Sequence, residues 1–147
     1  MGITPDSKYV GQHFQAKEFA CGCGCGAMDV RPELIQILDD VRKSLGTPLR
    51  ITSGLRCISH NKDSGGALNS YHMARSDGKG YAADVTYSAG NMKAPINIIR
   101  LYTLLDKFSG DMPTGIIAYP SWVHVDVRGV GGRERYRSLS KFPFPKL

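Results

Sequence analysis

The stretch Val123-His124-Val125-Asp126-Val127-Arg128 alternates without a break between a β-branched apolar residue and a titratable one. A period of two is the signature of a strand. A strand that buries its valines on one side must send a histidine, an acid and a base to the other. Titratable side chains in a row on a core strand are costly unless something binds there. A second stretch supplies the complement. Ser70-Tyr71-His72 is followed, after a loop, by Gly80-Tyr81-Ala82-Ala83-Asp84. His72, Asp84 and His124 together offer two imidazoles and a carboxylate, the three-ligand set that holds zinc (Zn2+) and leaves a fourth position for water.

The rest of the chain reads as a small α+β domain. Pro32 suits the first position of a helix and Glu33 its first turn. Leu34, Leu38, Val41 and Leu45 then recur at helical spacing up to Gly46. Leu49, Ile51 and Ser53 alternate with Arg50 and Thr52 as in a strand, and Tyr81 to Tyr87 reads as the strand carrying Asp84. A second helix is expected from Ala94 to Phe108, with Ile98, Leu101, Leu105 and Phe108 on one face. Gly115–Tyr119 and Trp122–Arg128 form a hairpin across Pro120-Ser121. The expected architecture is a small, mostly antiparallel sheet packed with two main helices. Residues 1–20 read as an irregular lead-in, with Phe14 and Phe19 available to the core. Residues 129–147, rich in Gly, Arg and Pro, read as a tail that is only partly ordered. No repeat or linker divides the chain, so 1–147 is expected to be one domain.

A chain of 147 residues with 41% hydrophobic content buries a core without needing a metal or disulfides to fold. No segment approaches the roughly 18 apolar residues of a membrane span, so no transmembrane segment is expected. Met1 to Asp6 carries no leader pattern, and the expectation is a chain cytoplasmic as synthesised. The formal charge of +6, from 19 Lys and Arg against 13 acids, draws the protein to polyanions. Nucleic acid is disfavoured, because no nucleic-acid motif appears and the basic residues are not interleaved with aromatics. Anionic cell-wall polymer fits the charge equally well. A monomer is expected.

Zinc-dependent peptide hydrolysis also needs a carboxylate to shuttle a proton and a cation for developing or substrate charge. Asp126, two residues from His124 on one strand face, is the candidate shuttle; alternatively it fixes the ring of a histidine ligand. Arg56, in Thr52-Ser53-Gly54-Leu55-Arg56-Cys57, follows a strand and is placed to reach the cleft. Ser70 is expected to meet substrate alongside it.

These segments, in this order and spacing, resemble the zinc D-alanyl-D-alanine carboxypeptidases and related peptidoglycan peptidases of the Hedgehog/DD-peptidase fold. The resemblance runs from about His13 to Arg128. It takes in Phe14 to Phe19 ahead of the Cys-Gly repeats, Ile51 to Cys57, His60-Asn61 with Gly65-Gly66, Asn69 to His72, Gly80 to Val85, and His124 to Gly129. It implies zinc on His72, Asp84 and His124 and substrate contact by Arg56. Two departures stand out. The family places two residues between the first histidine and the following glycine; here Met73 to Lys79 makes seven, which leaves Asp77 as a reserve ligand to Asp84. Several relatives carry an acid three residues before the last histidine, where this chain has Ser121.

Cys21, Cys23 and Cys25 alternate with glycine, and Cys57 stands alone. An extended Cys-Gly-Cys-Gly-Cys puts its thiols on one side. Reduced thiols, one disulfide to Cys57 and a second metal site all remain open. The function expected is hydrolysis of a peptide bond in peptidoglycan stem peptides or cross-links. Either a carboxypeptidase or an endopeptidase fits, for example a phage lysis enzyme released through a holin. The alternative is a non-catalytic, zinc-stabilised wall-binding or structural module, which Ser121 favours.

Overall fold

The computed structural model describes residues 9–66, 70–87 and 94–142. Asn69 and the ends of the expected lead-in and tail (1–8 and 143–147) lie outside the described residues. Five strands form one sheet: β1 (Leu49–Ser53), β2 (Ala82–Tyr87), β3 (Gly115–Ala118), β4 (Val123–Asp126) and β5 (Tyr136–Ser138). Their order is β1-β2-β4-β3-β5. All neighbours run antiparallel except β3 and β5, which run parallel.

Helix α1 (Pro32–Leu45) begins with proline in its first turn and ends at Gly46, whose φ of +67° is the left-handed geometry glycine adopts at a helix C-terminus. Its face of Leu34, Leu38 and Val41 is fully buried, at roughly 1.5–3 kcal/mol for each such side chain. Helix α3 (Pro95–Ser109) contributes Ile98, Leu101 and Leu105 to the same core. Val85, Ile116, Val123 and Val125 meet them from the sheet, and Phe14 and Phe19 close its edge. The opposite sheet face is left to the polar positions of β2 and β4.

Besides 3-10 turns at Ala16–Phe19, in the lead-in expected to be irregular, and at Arg128–Gly131, just past the end of β4 at Asp126, two elements go beyond the sequence expectation. Helix α2 (Ile58–Asp63) is six residues long, with Cys57 as its N-cap. Strand β5 lies within the segment 129–147, read as a tail that is only partly ordered. Arg137 pins β5 by bonding Asp106 Oδ1 at 2.9 Å and Thr114 Oγ1 at 3.0 Å. The lead-in is likewise tied down, since Asp39 accepts the backbone N–H groups of Gln12 and His13.

Candidate metal centre

Strand pairing places two of the three expected ligands side by side, because Asp84 on β2 is the direct cross-strand partner of His124 on β4. The third arrives on a loop held by the end of β1. The backbone N–H of Arg56 donates to the His72 carbonyl at 2.8 Å, and His72 Nδ1 lies 2.8 Å from the Gly54 carbonyl. On its other side Gly54 lies against the Phe19 backbone, which a side chain there would run into.

The three donor atoms form an equilateral triangle. His72 Nε2 to Asp84 Oδ1, His124 Nδ1 to Asp84 Oδ1, and His124 Nδ1 to His72 Nε2 are each 3.3 Å. Ligands about 2.0–2.1 Å from a tetrahedral zinc lie about 3.3–3.4 Å apart, so the triangle has the size the ion requires. Ring chemistry agrees. A carbonyl only accepts, so His72 Nδ1 carries its proton towards Gly54 and turns the Nε2 lone pair to the cluster. His124 Nε2 lies 2.8 Å from Asp126 Oδ2, which by the same logic leaves Nδ1 as the free lone pair. Three acceptors converging in a buried site call for a cation.

Asp126 is placed behind the His124 ring, on the nitrogen that faces away from the cluster, and is wholly buried. Both its oxygens are occupied. Oδ1 accepts from the backbone N–H groups of Gly115 and Arg128 and from Arg128 Nε at 3.2, 3.1 and 2.8 Å. Oδ2 takes Arg128 Nη2 at 2.7 Å as well as His124. Gly115 is required beside this pair, since a Cβ there would strike both Asp126 and Arg128. The Arg128 guanidinium lies over the rings of Tyr71 and Tyr136. Burial alone would raise the Asp126 carboxyl, but Arg128 and His124 hold it below the usual range. Asp84 is likewise held well below that range against its burial, by His124 and His72. Burial lowers the proton affinity of His124, and Asp126 and Asp84 outweigh it, raising the ring to about 9.

Arg56 sits at the cavity edge with its guanidinium divided among Ser53 Oγ at 3.0 Å, Asn61 Oδ1 at 3.2 Å and Asp84 Oδ2 at 3.4 Å. It thus touches the Asp84 oxygen that the donor triangle does not use. Ser70 Oγ accepts the His72 N–H at 3.1 Å, which leaves its own hydroxyl hydrogen to donate. Asp77 belongs elsewhere: it accepts from Tyr81 Oη at 2.9 Å and Arg31 Nη1 at 3.3 Å in an outer turn. The donor cluster contains Asp84 and not Asp77.

The triad lines a cavity of about 430 Å³, shared with Arg56, Ser70, Tyr71, Tyr119, Trp122 and Arg128. The aromatic members were not singled out from sequence. Tyr119 and Trp122, on either side of the hairpin turn, stack with centroids 4.6 Å apart. Their placement around Pro120-Ser121 was the available signal. Among the described lining residues Asp84 is the one carboxylate.

Such a donor set, opening on a cavity, makes this chain a zinc metallopeptidase by class. It belongs to the peptidase M15 family, whose sequence profile matches residues 12–126. Among solved structures it is similar to the L-Ala D-Glu endopeptidase ChiX of Serratia marcescens, at a TM-score of 0.52 and 12% identity. That match covers 80% of this chain and 89% of the other, a likeness of fold. Comparison with curated protein sequences returns no match. No helix among the described residues is long and apolar enough to cross a membrane.

Proposed function

We propose that this peptidase hydrolyses a peptide bond in the stem peptides or cross-links of peptidoglycan. The observation that carries the reading is the 3.3 Å triangle of His72, Asp84 and His124 at a cavity bordered by two arginines. Zinc on these ligands supplies a polarised water and a Lewis acid for the scissile carbonyl. Arg56 steadies Asp84 and presents cationic N–H groups to a substrate carboxylate or carbonyl. Ser70 donates from the neighbouring wall. The solved relative is named for a bond next to D-Glu, and a substrate of that kind brings carboxylates to an arginine-bordered cleft. The net charge of +6 favours approach to an anionic wall.

Of the two roles open to Asp126, its position supports the orienting one. Its donors and its burial keep it from a substrate in the cavity, so it acts on the reaction through His124. With no second carboxylate on the described lining, proton transfer falls to other groups there, of which Ser64, Ser70, Tyr71 and Tyr119 carry hydroxyls.

The test is digestion of purified peptidoglycan followed by mass analysis of the released peptides. New peptide termini that disappear on chelation and in His124→Ala are the expected result. The product masses distinguish carboxypeptidase from endopeptidase. A zinc-loaded protein that yields no new termini overturns the proposal and returns the wall-binding module.

A further inference from the structure

The four cysteines take no part in the peptidase centre, yet they gather on one another. The loop that carries three of them is a tight wrap and not the extended run expected from its alternation. Gly24 N–H donates to the Cys21 carbonyl at 3.1 Å, and Cys21 N–H to the Ala27 carbonyl at 2.7 Å. Gly24 and Gly26 take φ of +80° and +88°, a left-handed geometry open to glycine. The wrap brings the sulfurs of Cys21, Cys23 and Cys25 to that of Cys57, all within 4.8 Å of one another.

The separations discriminate between the chemistries open to four thiols. Cys21 to Cys23, Cys23 to Cys57 and Cys21 to Cys57 are 3.3, 3.6 and 3.8 Å. Sulfurs about 2.3 Å from a tetrahedral zinc lie about 3.8 Å apart. A disulfide of about 2.05 Å would use only two sulfurs and leave the others crowded against the bridge. Two backbone N–H groups also point at sulfur, Cys57 to Cys21 Sγ and His60 to Cys57 Sγ, both at 3.4 Å. Such donors favour thiolate. Burial pushes the Cys21 thiol up, but the N–H groups of Cys57 and Cys23 and the adjoining thiols bring it down to about 6. Sharing with Cys21 and Cys25 pushes Cys23 up to about 12. The sulfur spacing and the two N–H groups aimed at sulfur together fit a cation at the centre of the four.

We propose that Cys21, Cys23, Cys25 and Cys57 bind a second zinc ion in a structural site separate from the peptidase centre. Four protein sulfurs fill a tetrahedral shell and leave no position for substrate water. The site fastens the 21–25 loop to the junction between β1 and α2. Cys57 directly follows Arg56, and its sulfur caps the helix whose Asn61 holds the Arg56 guanidinium. The ion would thus brace the arginine without touching substrate.

Metal analysis of protein purified under reducing conditions, without chelator, is the test. Two zincs per wild-type chain are expected, falling to one in Cys23→Ser/Cys25→Ser and to one in His124→Ala. A wild-type readout covers the case in which the cysteine variant fails to fold. Cobalt-loaded protein should show thiolate-to-metal charge-transfer absorption, which a His-Asp-His site cannot give, and the band should persist in His124→Ala. One zinc in both the wild type and the cysteine variant, with no such band on cobalt loading, overturns the proposal. So does an intact mass lighter by a pair of hydrogens with the thiols of Cys57 and a loop cysteine lost, which assigns a disulfide. A single wild-type zinc that persists in His124→Ala and disappears in the cysteine variant would instead count against the peptidase centre.

Discussion

Asp126→Asn separates orientation from proton transfer, because the amide keeps the shape of the side chain and removes its charge. In the wild type, Oδ2 accepts from His124 Nε2 at 2.8 Å and from Arg128 Nη2 at 2.7 Å. An amide offers one oxygen where two were in use. With its NH2 in the Oδ2 position, the His124 ring and Arg128 Nη2 both lose their acceptor; in the Oδ1 position, the backbone N–H groups of Gly115 and Arg128 and Arg128 Nε lose theirs. If the ring loses its acceptor, the Nε2–H tautomer is no longer enforced and Nδ1 presents its lone pair less often. Removing such a partner lowers metal affinity by roughly 10- to 100-fold, about 1.4–2.7 kcal/mol. Breaking a buried ion pair costs about 3–5 kcal/mol. Arg128 keeps two tyrosine faces and some exposure, so a loss of about 2–4 kcal/mol is expected here. That corresponds to a fall in Tm of roughly 4–16 °C.

The assay is zinc competition against a chromophoric chelator, with kcat measured at saturating zinc and Tm in parallel. The expected result is weakened zinc, lowered Tm, and turnover recovered in large part when zinc is restored. A general base behaves oppositely, contributing on the order of 10²–10⁴-fold to rate with the metal left in place. Unchanged zinc affinity with turnover collapsed at saturating zinc would refute the argument from burial and return Asp126 to proton transfer.

Three further outcomes follow from the same geometry. Asp84→Ala should lose the zinc held by His72 and His124, whereas Asp77→Ala should retain it; metal content checks both, and the reverse pattern would move the ligand into the lengthened 73–79 loop. Arg56→Lys keeps charge but cannot span Ser53, Asn61 and Asp84, so kcat/KM should fall about tenfold or more with the fold intact; unchanged kinetics would remove Arg56 from the site. Zinc and a proton compete for His124, whose ring titrates near pH about 9 against a reference of 6.5, so zinc affinity should rise roughly tenfold per pH unit up to that point. The sign reverses for chelated protein. The stability from protonated His124 is fully present below pH 6.5 and lost as pH rises through about 9, and pH-resolved chelator competition and melting would show both slopes.

Long, periodic elements and the donor set were legible because each leaves a mark within one segment. Helices α1 and α3 announce themselves by apolar spacing with a proline at the start, and β4 by strict alternation. Helix α2 was not legible: six residues are too few to show a period, and its N-cap is a cysteine sulfur in place of the usual oxygen. Strand β5 was hidden for another reason. Tyr136-Arg137-Ser138 has no apolar alternation and owes its place to parallel pairing with β3 and to Arg137 reaching Asp106 and Thr114. Those contacts span more than twenty residues and appear in no local pattern. Alternation likewise put His124, Asp126 and Arg128 on one side without showing that they form a chain, ligand to carboxylate to arginine, running away from the cavity. The spacing of Cys21, Cys23 and Cys25 suggested an extended run because glycine carries no hint of the sign of φ.

The segment from Ser53 to Asn61 explains why so short a stretch carries so much of the motif. Ser53 holds Arg56 Nε, and the Gly54 carbonyl fixes the tautomer of His72. Leu55 N–H bonds the Phe19 carbonyl, which brings the cysteine loop alongside. Arg56 N–H holds the His72 carbonyl while its side chain reaches Asp84, and Cys57 joins the sulfur cluster. Asn61 then returns to Arg56 across the first turn of α2. Neither cluster is therefore independent of this segment, although they share no ligand. A substitution that shifts its backbone, such as any side chain at Gly54, moves the His72 carbonyl contact, the Arg56 fork and the Cys57 sulfur together. Substitution of Asn61 removes one acceptor from Arg56 and leaves both donor sets in place. The two kinds of damage differ in range because the segment's backbone serves both clusters, while each of its side chains serves one.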